Sequence, residues 1–221
     1  MPFRILVTDE IDPQGVALLR DVPEFQVDEL PTLPAAEILE RIGGYDALVG
    51  RSATRVTPEL LRGGRRLRVV GRAGVGVDNI AVRVATELGI AVINAPAGNT
   101  VAVAELFFGN VISFLRGITR AAASMHEGRW ERSQLLGSEL KGRMLGIVGL
   151  GRIGSEVAHR AHAFGMGVMA FDPYVGTDRF AALRVRRAAD LDELLGEADV
   201  VTVHTPLTDE TRGLLGGAQL A

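Results

Sequence analysis

One segment, from Leu145 to Asp172, constrains the fold more than the rest of the sequence does. It opens with an apolar run typical of a buried β-strand, and glycines follow at 149, 151 and 154 before a helical pattern begins. Gly149 allows a tight turn, Gly151 lets backbone N–H groups approach a pyrophosphate, and Gly154 lets the helix pack closely on the strand. The segment therefore predicts a dinucleotide site at a helix N-terminus, although this glycine spacing is also found in simple strand-to-helix turns.

A carboxylate at the end of the next strand favours the dinucleotide interpretation. Asp172 follows the apolar run at residues 168–171, where a carboxylate can accept hydrogen bonds from the hydroxyls of an adenosine ribose. The same charge repels a 2′-phosphate, and Pro173, Tyr174 and Val175 offer no arginine to bind one. We therefore expect NAD rather than NADP as the cofactor.

Short apolar runs alternate with helical patterns along the chain, which predicts an α/β fold with parallel strands joined by helices. The predicted strands cover residues 5–8, 25–30, 47–49, 67–70, 91–94, 144–148, 168–171, 184–186 and 200–203. The predicted helices cover residues 13–20, 34–42, 58–61, 80–88, 153–164 and 190–197. Prolines at 13, 34 and 58 stand at helix starts, where a missing N–H costs nothing.

The loop at residues 94–100, rich in proline, glycine and asparagine, predicts a boundary between two domains, residues 1–98 and 99–221. A long apolar helix is expected to begin at Val101 and to end near His126. Its first half is apolar on nearly every side, which requires burial all round. Packing on its own sheet and on another subunit would provide that burial, so we expect a homodimer or tetramer through this helix region.

Composition excludes several classes of function. The 221 residues carry a net charge of −3, which gives no reason to expect contact with nucleic acid or an anionic membrane. Cysteine is absent, which excludes thiolate chemistry, and the N-terminus lacks the apolar core of a signal peptide, so we expect a cytoplasmic protein. Lys141 is the only lysine and lies in no phosphate-binding motif.

The spacing of Glu156, His159 and His162 raises the question of a metal site on the helix that follows the glycines. These residues fall on the outer face of that helix, and no further cluster of ligands accompanies them. We therefore expect a solvated helix face and no metal.

Seven short motifs are distributed over the whole chain: RSAT at 51–54, GRAGVGVDN at 71–79, NAPAGN at 94–99, GLGRIG at 149–154, FGM at 164–166, DPY at 172–174 and HTPL at 204–207. Together they resemble the D-3-phosphoglycerate dehydrogenase family, a branch of the D-isomer-specific 2-hydroxyacid dehydrogenases. The resemblance implies a flavodoxin-like substrate domain followed by an incomplete Rossmann NAD-binding domain, both with parallel sheets.

The resemblance also implies a substrate site for a phosphorylated 2-hydroxy acid. Arg51, Ser52 and Arg72 would bind its phosphate or carboxylate, beside the backbone N–H groups of Val75 and Gly76. A guanidinium fork suits both anions, although either arginine could instead form an interdomain or surface salt bridge. Arg132 resembles a residue that reaches the site of the neighbouring subunit in this family.

The cofactor contacts that the resemblance implies lie mainly in the glycine segment and after the later strands. The residues expected to contact NAD are Val75, Gly149, Gly151, Arg152, Ile153, Gly154, Asp172, Thr205 and Pro206.

In this family, hydride transfer depends on an arginine and on a glutamate–histidine pair, and none of these motifs occurs within residues 1–221. We therefore assign no catalytic residue, and we expect this chain by itself to be inactive and marginally stable. The activity implied is the NAD-dependent oxidation of 3-phospho-D-glycerate to 3-phosphohydroxypyruvate, in serine biosynthesis. Two alternatives remain: a dehydrogenase of the glyoxylate or hydroxypyruvate type, and a non-catalytic NAD-binding dimerisation module.

Overall fold

The computed structural model describes residues 2–219, and the chain divides into two compact units, Met1–Asn99 and Thr100–Ala221. Both units consist of parallel strands that alternate with helices, which confirms the predicted α/β class. They are described separately below as the first unit and the second unit.

The first unit is a five-stranded parallel sheet in the order β2-β1-β3-β4-β5. Its strands are β1 (Phe3–Val7), β2 (Phe25–Glu29), β3 (Ala47–Gly50), β4 (Val69–Arg72) and β5 (Ala91–Asn94). Its helices are α1 (Pro13–Arg20), α2 (Ala35–Ile42), α3 (Pro58–Gly63) and α4 (Val82–Glu87). All five strands lie where the sequence predicts them, to within two residues.

Side chains that alternate along the strands form a core on each face of this sheet. Leu6, Leu48 and Val70 pack with buried side chains of α2, α3 and α4. Ile5 and Val7, on the opposite face, pack with Val16 of α1. Burial on both faces is what a parallel sheet with crossover helices requires, and it fixes the register of the strands.

Local capping explains two of the helix starts. The Asp12 carboxylate accepts a hydrogen bond from the N–H of Gln14 at 2.8 Å, and Pro13 follows as the first residue of α1. The Thr57 hydroxyl accepts one from the N–H of Leu60 at 3.3 Å, ahead of Pro58 in α3. Both pairs satisfy N–H groups that a helix leaves open and set the direction in which each helix leaves the sheet.

The second unit contains a four-stranded parallel sheet in the order β8-β7-β6-β9. Its strands are β6 (Met144–Val148), β7 (Gly167–Phe171), β8 (Arg186–Arg187) and β9 (Val200–Val203). Its helices are α5 (Thr100–Arg116), α6 (Ile118–His126), α7 (Arg152–Ala163), α8 (Thr177–Leu183) and α9 (Leu191–Glu197). A short 3-10 helix, Arg132–Gln134, lies between α6 and β6.

The core of the second unit also has two faces. Leu145 and Ile147 of β6 pack with α7 and with Ala104 and Phe108 of α5. Val148 packs on the other face with residues of β7 and α9. The strand that carries the glycine segment is therefore the central, fully buried element of this unit.

The long helix predicted over residues 101–126 is wrong as a single element. It breaks at Gly117, whose φ of 61° is left-handed, and α5 and α6 are bent by 64°. In the single chain, Phe114 is 85% exposed and Leu106 is 64% exposed, so the expected burial of this helix region against another subunit stays a prediction. Glycine adopts the left-handed conformation without steric cost, so the break follows from one residue inside an apolar pattern.

The predicted strand at 184–186 is displaced. Helix α8, which the sequence does not predict, ends at Leu183. Arg184 follows with a left-handed φ of 54°, and β8 begins two residues later at Arg186. Short charged strands and short helices show little hydrophobic periodicity, so the sequence pattern alone distinguishes one from the other poorly.

Within residues 2–219, no single helix is long and apolar enough to cross a bilayer. Helices α5 and α6 pass a test of length and composition only when they are taken together across their bend.

Candidate functional site: a glycine turn and a cationic strand end

Each glycine of the turn after β6 occupies a different environment. Gly149 has φ 95°, and a Cβ there would lie 2.7 Å from the carbonyl oxygen of His204. A Cβ on Gly154 would collide with the carbonyl oxygen of Gly149. A Cβ on Gly151 would meet no atom within 4 Å. The first and third glycines are therefore required by packing, whereas the second keeps space open in front of the helix.

The backbone N–H groups at the start of α7 point to what that space could hold. Within residues 2–219, those of Gly151, Arg152 and Ile153 donate to no protein atom, and no side chain caps the helix. Free N–H groups at a helix N-terminus bind anions well. The exposed side chain of Arg152 adds a cation at the same end. The residues present therefore fit a pyrophosphate.

A cleft of about 320 Å³ adjoins this turn. It is formed by the ends of β6, β7 and β9 and by the loops that follow them. Its lining includes Gly149, Gly151, Asp172, Tyr174, His204, Thr205, Pro206, Glu210 and Leu214. Five of the residues predicted to contact NAD line this cleft: Gly149, Gly151, Asp172, Thr205 and Pro206. Arg152, Ile153 and Gly154 follow in the first turn of α7, where Ile153 packs against the core.

The loop after β9 is held by short hydrogen bonds between its own residues. The Thr211 hydroxyl donates to the carbonyl oxygen of Pro206 at 2.6 Å, and the N–H of Thr208 donates to the Thr211 hydroxyl at 2.8 Å. Across the cleft mouth, the Tyr174 hydroxyl donates to the Glu210 carboxylate. That hydrogen bond raises the pKa of the Tyr174 phenol and keeps the group protonated. Glu210 adds a second carboxylate beside Asp172 on the cleft lining.

Asp172 braces the glycine turn from the end of β7. One carboxylate oxygen accepts from the N–H of Leu150 at 2.8 Å, and the other accepts from the N–H of Tyr174 at 3.0 Å. Each carboxylate oxygen can accept more than one hydrogen bond, so Asp172 keeps capacity for a ribose hydroxyl.

Arg179 of α8 contacts the same turn and was not predicted from the sequence. Its Nε donates to the carbonyl oxygen of Leu150 at 3.1 Å, and its Nη2 donates to the Ser155 hydroxyl at 2.8 Å. A longer bond of 3.4 Å joins Nη2 to the carbonyl oxygen of Gly151. No sequence signal identifies this residue, because it stands well outside the glycine motif in a helix without strong period.

His204 contributes its backbone to the turn and keeps its side chain apart. Its Nε2 lies 2.9 Å from the Thr202 hydroxyl, and its ring meets Phe107 edge-on at 6.4 Å between centroids. Burial lowers the pKa of the His204 imidazole below 6.5, so the ring is neutral at pH 7. The chemistry of this cleft is therefore that of backbone donors, carboxylates and one exposed arginine.

A second set of polar groups lies at the carboxyl ends of the strands of the first unit. Asp9, two residues after β1, has a left-handed φ of 64° and is 6% exposed. Its carboxylate accepts from the backbone N–H groups of Arg51 at 2.7 Å and Thr54 at 3.0 Å, and from the Thr54 hydroxyl at 2.7 Å. The amide of Asn79 donates to the carbonyl oxygens of Arg51 at 2.8 Å and Thr54 at 2.7 Å. Residues 51–54 are thus held from both sides.

These contacts set the ionisation of Asp9. Burial raises the pKa of its carboxyl, but the hydrogen bonds from Thr54, Arg51 and Thr32 outweigh burial and hold the pKa below 3.8. The carboxylate is therefore charged and fully engaged at neutral pH, and it acts as a brace. A polar residue at a strand's carboxyl end is the signal that could have singled out Asp9.

The predicted substrate arginines lie on neighbouring strands of this sheet. Gly50 pairs with Arg72 in the register of β3 and β4, so Arg51 and Arg72 stand at the same sheet end. The Arg51 guanidinium donates to the carbonyl oxygen of Glu10 at 3.2 Å, and Ser52 beside it is exposed. The buried Nε of Arg72 has no hydrogen-bond partner among the described residues. Neither guanidinium is neutralised by a carboxylate within residues 2–219.

The loop that follows Arg72 wraps around its guanidinium. A Cβ on Gly74 would lie 2.7 Å from Nη1 of Arg72, and one on Gly76 would lie 3.8 Å from it. The carbonyl oxygen of Val75 accepts from the Asn94 amide at 2.6 Å, which fixes the loop to the end of β5. Arg72 also lines a cavity of about 340 Å³ between α1 and β4–β5.

Arg132 belongs to the second unit, on the exposed 3-10 helix, and its side chain contacts no described carboxylate. Within residues 2–219, no three His, Cys, Asp or Glu side chains are close enough to hold a metal ion. His162, one of the residues considered for metal binding, bonds instead through Nε2 to the carbonyl oxygen of Leu183 at 2.9 Å.

The second unit thus has the architecture and the turn of a dinucleotide-binding α/β domain. Residues 108–221 match the family described as "D-isomer specific 2-hydroxyacid dehydrogenase, NAD binding domain". The match covers more than half of the chain, which therefore belongs to this family. NAD is accordingly the cofactor of the matched domain.

Individual relatives agree with this assignment. The chain is 46% identical over 219 residues to a D-3-phosphoglycerate dehydrogenase of Bacillus subtilis, and 44% identical over 218 residues to that of Methanocaldococcus jannaschii. Each alignment covers 99% of this chain but 41% of the relative. The chain therefore spans about two fifths of the length of these curated relatives.

Solved structures show the same fold. The TT0316 protein of Thermus thermophilus superposes with a TM-score of 0.88 at 36% identity, covering 99% of this chain and 70% of that one. An NAD+-bound 3-phosphoglycerate dehydrogenase of Entamoeba histolytica superposes with a TM-score of 0.81 at 28% identity, covering 100% of this chain and 68% of that one.

Proposed function

We propose that the protein to which these residues belong oxidises 3-phospho-D-glycerate to 3-phosphohydroxypyruvate with NAD. This reaction opens serine biosynthesis, and the relatives are named as dehydrogenases of the same substrate. The substrate class rests on one observation: Arg51 and Arg72 stand at one sheet end, and no carboxylate among residues 2–219 neutralises them. A substrate with a phosphate and a carboxylate supplies the missing anions, and a guanidinium fork matches the geometry of either.

The first unit is proposed as the substrate domain. Arg51 and Ser52 would bind the substrate from a loop that Asp9 and Asn79 hold rigid. Arg72, together with the backbone of Val75 and Gly76, would form the second contact. The buried Nε of Arg72 favours this role, because an unpaired buried donor is costly unless a ligand accepts from it. We propose Arg132 as a contact from a neighbouring subunit.

The second unit is proposed as the cofactor domain, with Gly149, Gly151, Gly154, Arg152 and Ile153 at the pyrophosphate. Asp172 would accept from the adenosine ribose, and Thr205 and Pro206 would shape the adenosine side of the cleft. When bound, NAD accepts the hydride from the substrate carbon, and the hydroxyl proton must leave to a base. Two carboxylates on the cleft lining, Asp172 and Glu210, disfavour a 2′-phosphate and so favour NAD over NADP.

We propose that none of the described side chains is the proton acceptor. Within residues 2–219, no histidine pairs with a carboxylate, and His204 and His162 are bonded through Nε2 to Thr202 and to a backbone carbonyl. A general base must lie within hydrogen-bond reach of the proton it takes. We therefore propose that residues 1–221 alone bind cofactor but do not turn substrate over.

A direct test separates binding from turnover. Calorimetric titration of the 221-residue chain should show NAD binding at least tenfold tighter than NADP binding, and an NADH absorbance assay should show no turnover. Absence of NAD binding would refute the cofactor assignment, and measurable turnover would refute the inactivity.

The substrate assignment requires the longer protein. In a full-length enzyme, Arg51→Gln and Arg72→Gln should each raise the KM for 3-phosphoglycerate at least tenfold, with little change in NAD affinity. Arg55→Gln, an exposed neighbour on the same loop, is the matched control. A full-length enzyme that preferred glyoxylate or hydroxypyruvate, or that bound NAD without any turnover, would contradict the proposal.

The exposed apolar side chains of the second unit support a homodimer. Several lie on α5 and α6 or shortly after them: Val101, Leu106, Phe114, Ile118, Met125, Trp130 and Leu136. Exposed large apolar side chains concentrated in one segment are typical of an interface. We propose that a second copy covers it. Phe114→Asp should convert the dimer to monomers, measured by light scattering. Leu18→Asp, at an exposed apolar site on α1, should leave the dimer intact.

A further inference from the structure

We propose that Arg179 is a positioning residue for the cofactor: it fixes the peptide groups of the glycine turn so that their N–H groups face the pyrophosphate. This inference rests on the proposed NAD binding of the second unit. It begins with the three hydrogen bonds that Arg179 donates to the turn and to Ser155.

Both backbone polar groups of Leu150 form hydrogen bonds with side chains. Its N–H donates to the Asp172 carboxylate at 2.8 Å, and its carbonyl oxygen accepts from Nε of Arg179 at 3.1 Å. Leu150 is 0% exposed, and within residues 2–219 its carbonyl oxygen has no other donor. Without Arg179, this buried acceptor would be unpaired, which costs about 1–3 kcal/mol and favours rotation of the peptide toward water or another donor.

The orientation of one carbonyl determines the orientation of the next N–H. The described chain contains no cis peptide bonds, and in a planar trans peptide the C=O and the N–H point in opposite directions. Because Arg179 holds the carbonyl oxygen of Leu150, the N–H of Gly151 must point away from Arg179. That N–H is one of the three without a protein acceptor, and no atom lies within 4 Å of the position where a Cβ on Gly151 would be.

The next peptide is held in the same way. The carbonyl oxygen of Gly151 accepts from the Ser155 hydroxyl at 2.7 Å and, at 3.4 Å, from Nη2 of Arg179, which also bonds the Ser155 hydroxyl at 2.8 Å. Arg179 therefore contacts the carbonyl oxygens of two consecutive peptide groups, those of Leu150 and Gly151. The N–H groups of the same two peptides, on Gly151 and Arg152, are free. Its partners are all uncharged, so its positive charge also remains close to the turn.

The test compares ligands that do and do not contain a pyrophosphate. Titrations of the 221-residue chain with NAD, ADP-ribose and adenosine, followed by amide chemical shifts, give three affinities for each variant. Arg179→Met should weaken NAD and ADP-ribose at least tenfold and adenosine by less than twofold. Arg179→Lys keeps the charge without the planar fork and should fall between wild type and Arg179→Met.

Controls distinguish positioning from folding. Arg184→Asn removes an arginine just beyond the same helix, at a left-handed position that asparagine tolerates, and should leave all three affinities unchanged. Equal weakening of all three ligands by Arg179→Met would show a merely structural role and overturn the inference, as would unchanged affinity for ADP-ribose. Failure of the wild-type chain to bind NAD would instead overturn the proposed function.

Discussion

The two units place their candidate sites at the same position, the carboxyl ends of parallel strands, but they offer different chemical groups there. The second unit presents backbone N–H groups, kept open by Gly151 and oriented by side chains behind them. The first unit presents the guanidinium groups of Arg51 and Arg72 on loops whose backbone is held by Asp9, Asn79 and Asn94.

This difference shows how each site would respond to mutation. Backbone recognition depends on the absence of side chains, so added atoms should weaken it. Side-chain recognition depends on how firmly the loop is braced, so loss of a buried polar partner should weaken it. The predictions below test this contrast, beginning with the largest expected effect.

The largest effect is expected at Gly154. Gly154→Ala places a methyl group on the carbonyl oxygen of Gly149, which is backbone and cannot rotate away. We expect a loss of about 3 kcal/mol in the free energy of unfolding, at the upper end of overpacking costs, measured by urea denaturation. Gly196→Ala in α9, where a Cβ meets nothing within 4 Å, is the control and should stabilise by up to about 1 kcal/mol. Equal stability of both variants would show that the turn is not tightly packed.

The next effect is expected in the first unit, at Asp9. Asp9→Asn keeps a residue that tolerates the left-handed backbone but removes a charged acceptor of several hydrogen bonds. We expect the free energy of unfolding to fall by about 2 kcal/mol at pH 7, and amide hydrogen exchange at Arg51 and Thr54 to become faster. Thr32→Val, which removes a single outer hydrogen bond to the same carboxylate, should have a smaller effect.

The Asp9 effect should depend on pH in a defined direction. The pKa of the folded-state carboxyl lies below 3.8, so its stabilisation is fully present above 3.8 and is lost as the pH falls through the lower, folded-state value. The difference between wild type and Asp9→Asn should therefore shrink on acidification. A difference that grew at low pH would contradict the assignment of Asp9 as a charged brace.

A smaller effect, on binding alone, is expected at Gly151. Its φ of −73° suits any residue, and an added Cβ meets open space, so Gly151→Ala should fold normally. The methyl group would occupy the region in front of the free N–H groups, and NAD affinity should fall about tenfold, or about 1.4 kcal/mol. Gly176→Ala, at the start of α8, should leave the affinity unchanged. Normal NAD binding by Gly151→Ala would refute backbone recognition at this turn.

The sequence predicted the second site more directly than the first. The glycine turn is readable because packing requires Gly149 and Gly154, Gly151 keeps the space in front of the helix open, and Asp172 follows at the end of the next strand. Arg51 and Arg72 entered through resemblance, since a strand-end arginine has no local pattern that separates binding from a salt bridge. The structure brings them to one sheet end, and their role as a substrate site stays a prediction.

Two features that the sequence does not predict depend on contacts between distant residues. Arg179 acts across 28 positions on the carbonyl of Gly151, and Asp9 acts across 42 positions on the N–H of Arg51. The break at Gly117 was missed because one left-handed glycine does not interrupt an apolar pattern. Strands β1 and β3 of the first unit are predicted well because burial on both faces leaves continuous apolar runs.

The smallest effect is expected from His204. It should make the stability of the second unit depend on pH in a range different from that of Asp9 in the first unit. Burial holds the pKa of this imidazole below 6.5, so the unfolded chain binds the proton more readily than the folded chain does. Stability of the second unit should therefore fall as the pH drops below 6.5, with a slope of at most about 1.4 kcal/mol per pH unit for one proton. His204→Gln, which can still bond Thr202, should remove this slope without changing the response of Asp9 below 3.8. Denaturation curves recorded above pH 6.5, between pH 6.5 and 3.8, and below pH 3.8 test the contrast, because acid should weaken the second unit before it weakens the contacts of Asp9 with residues 51–54. An unchanged slope in His204→Gln would assign the acid sensitivity to other groups.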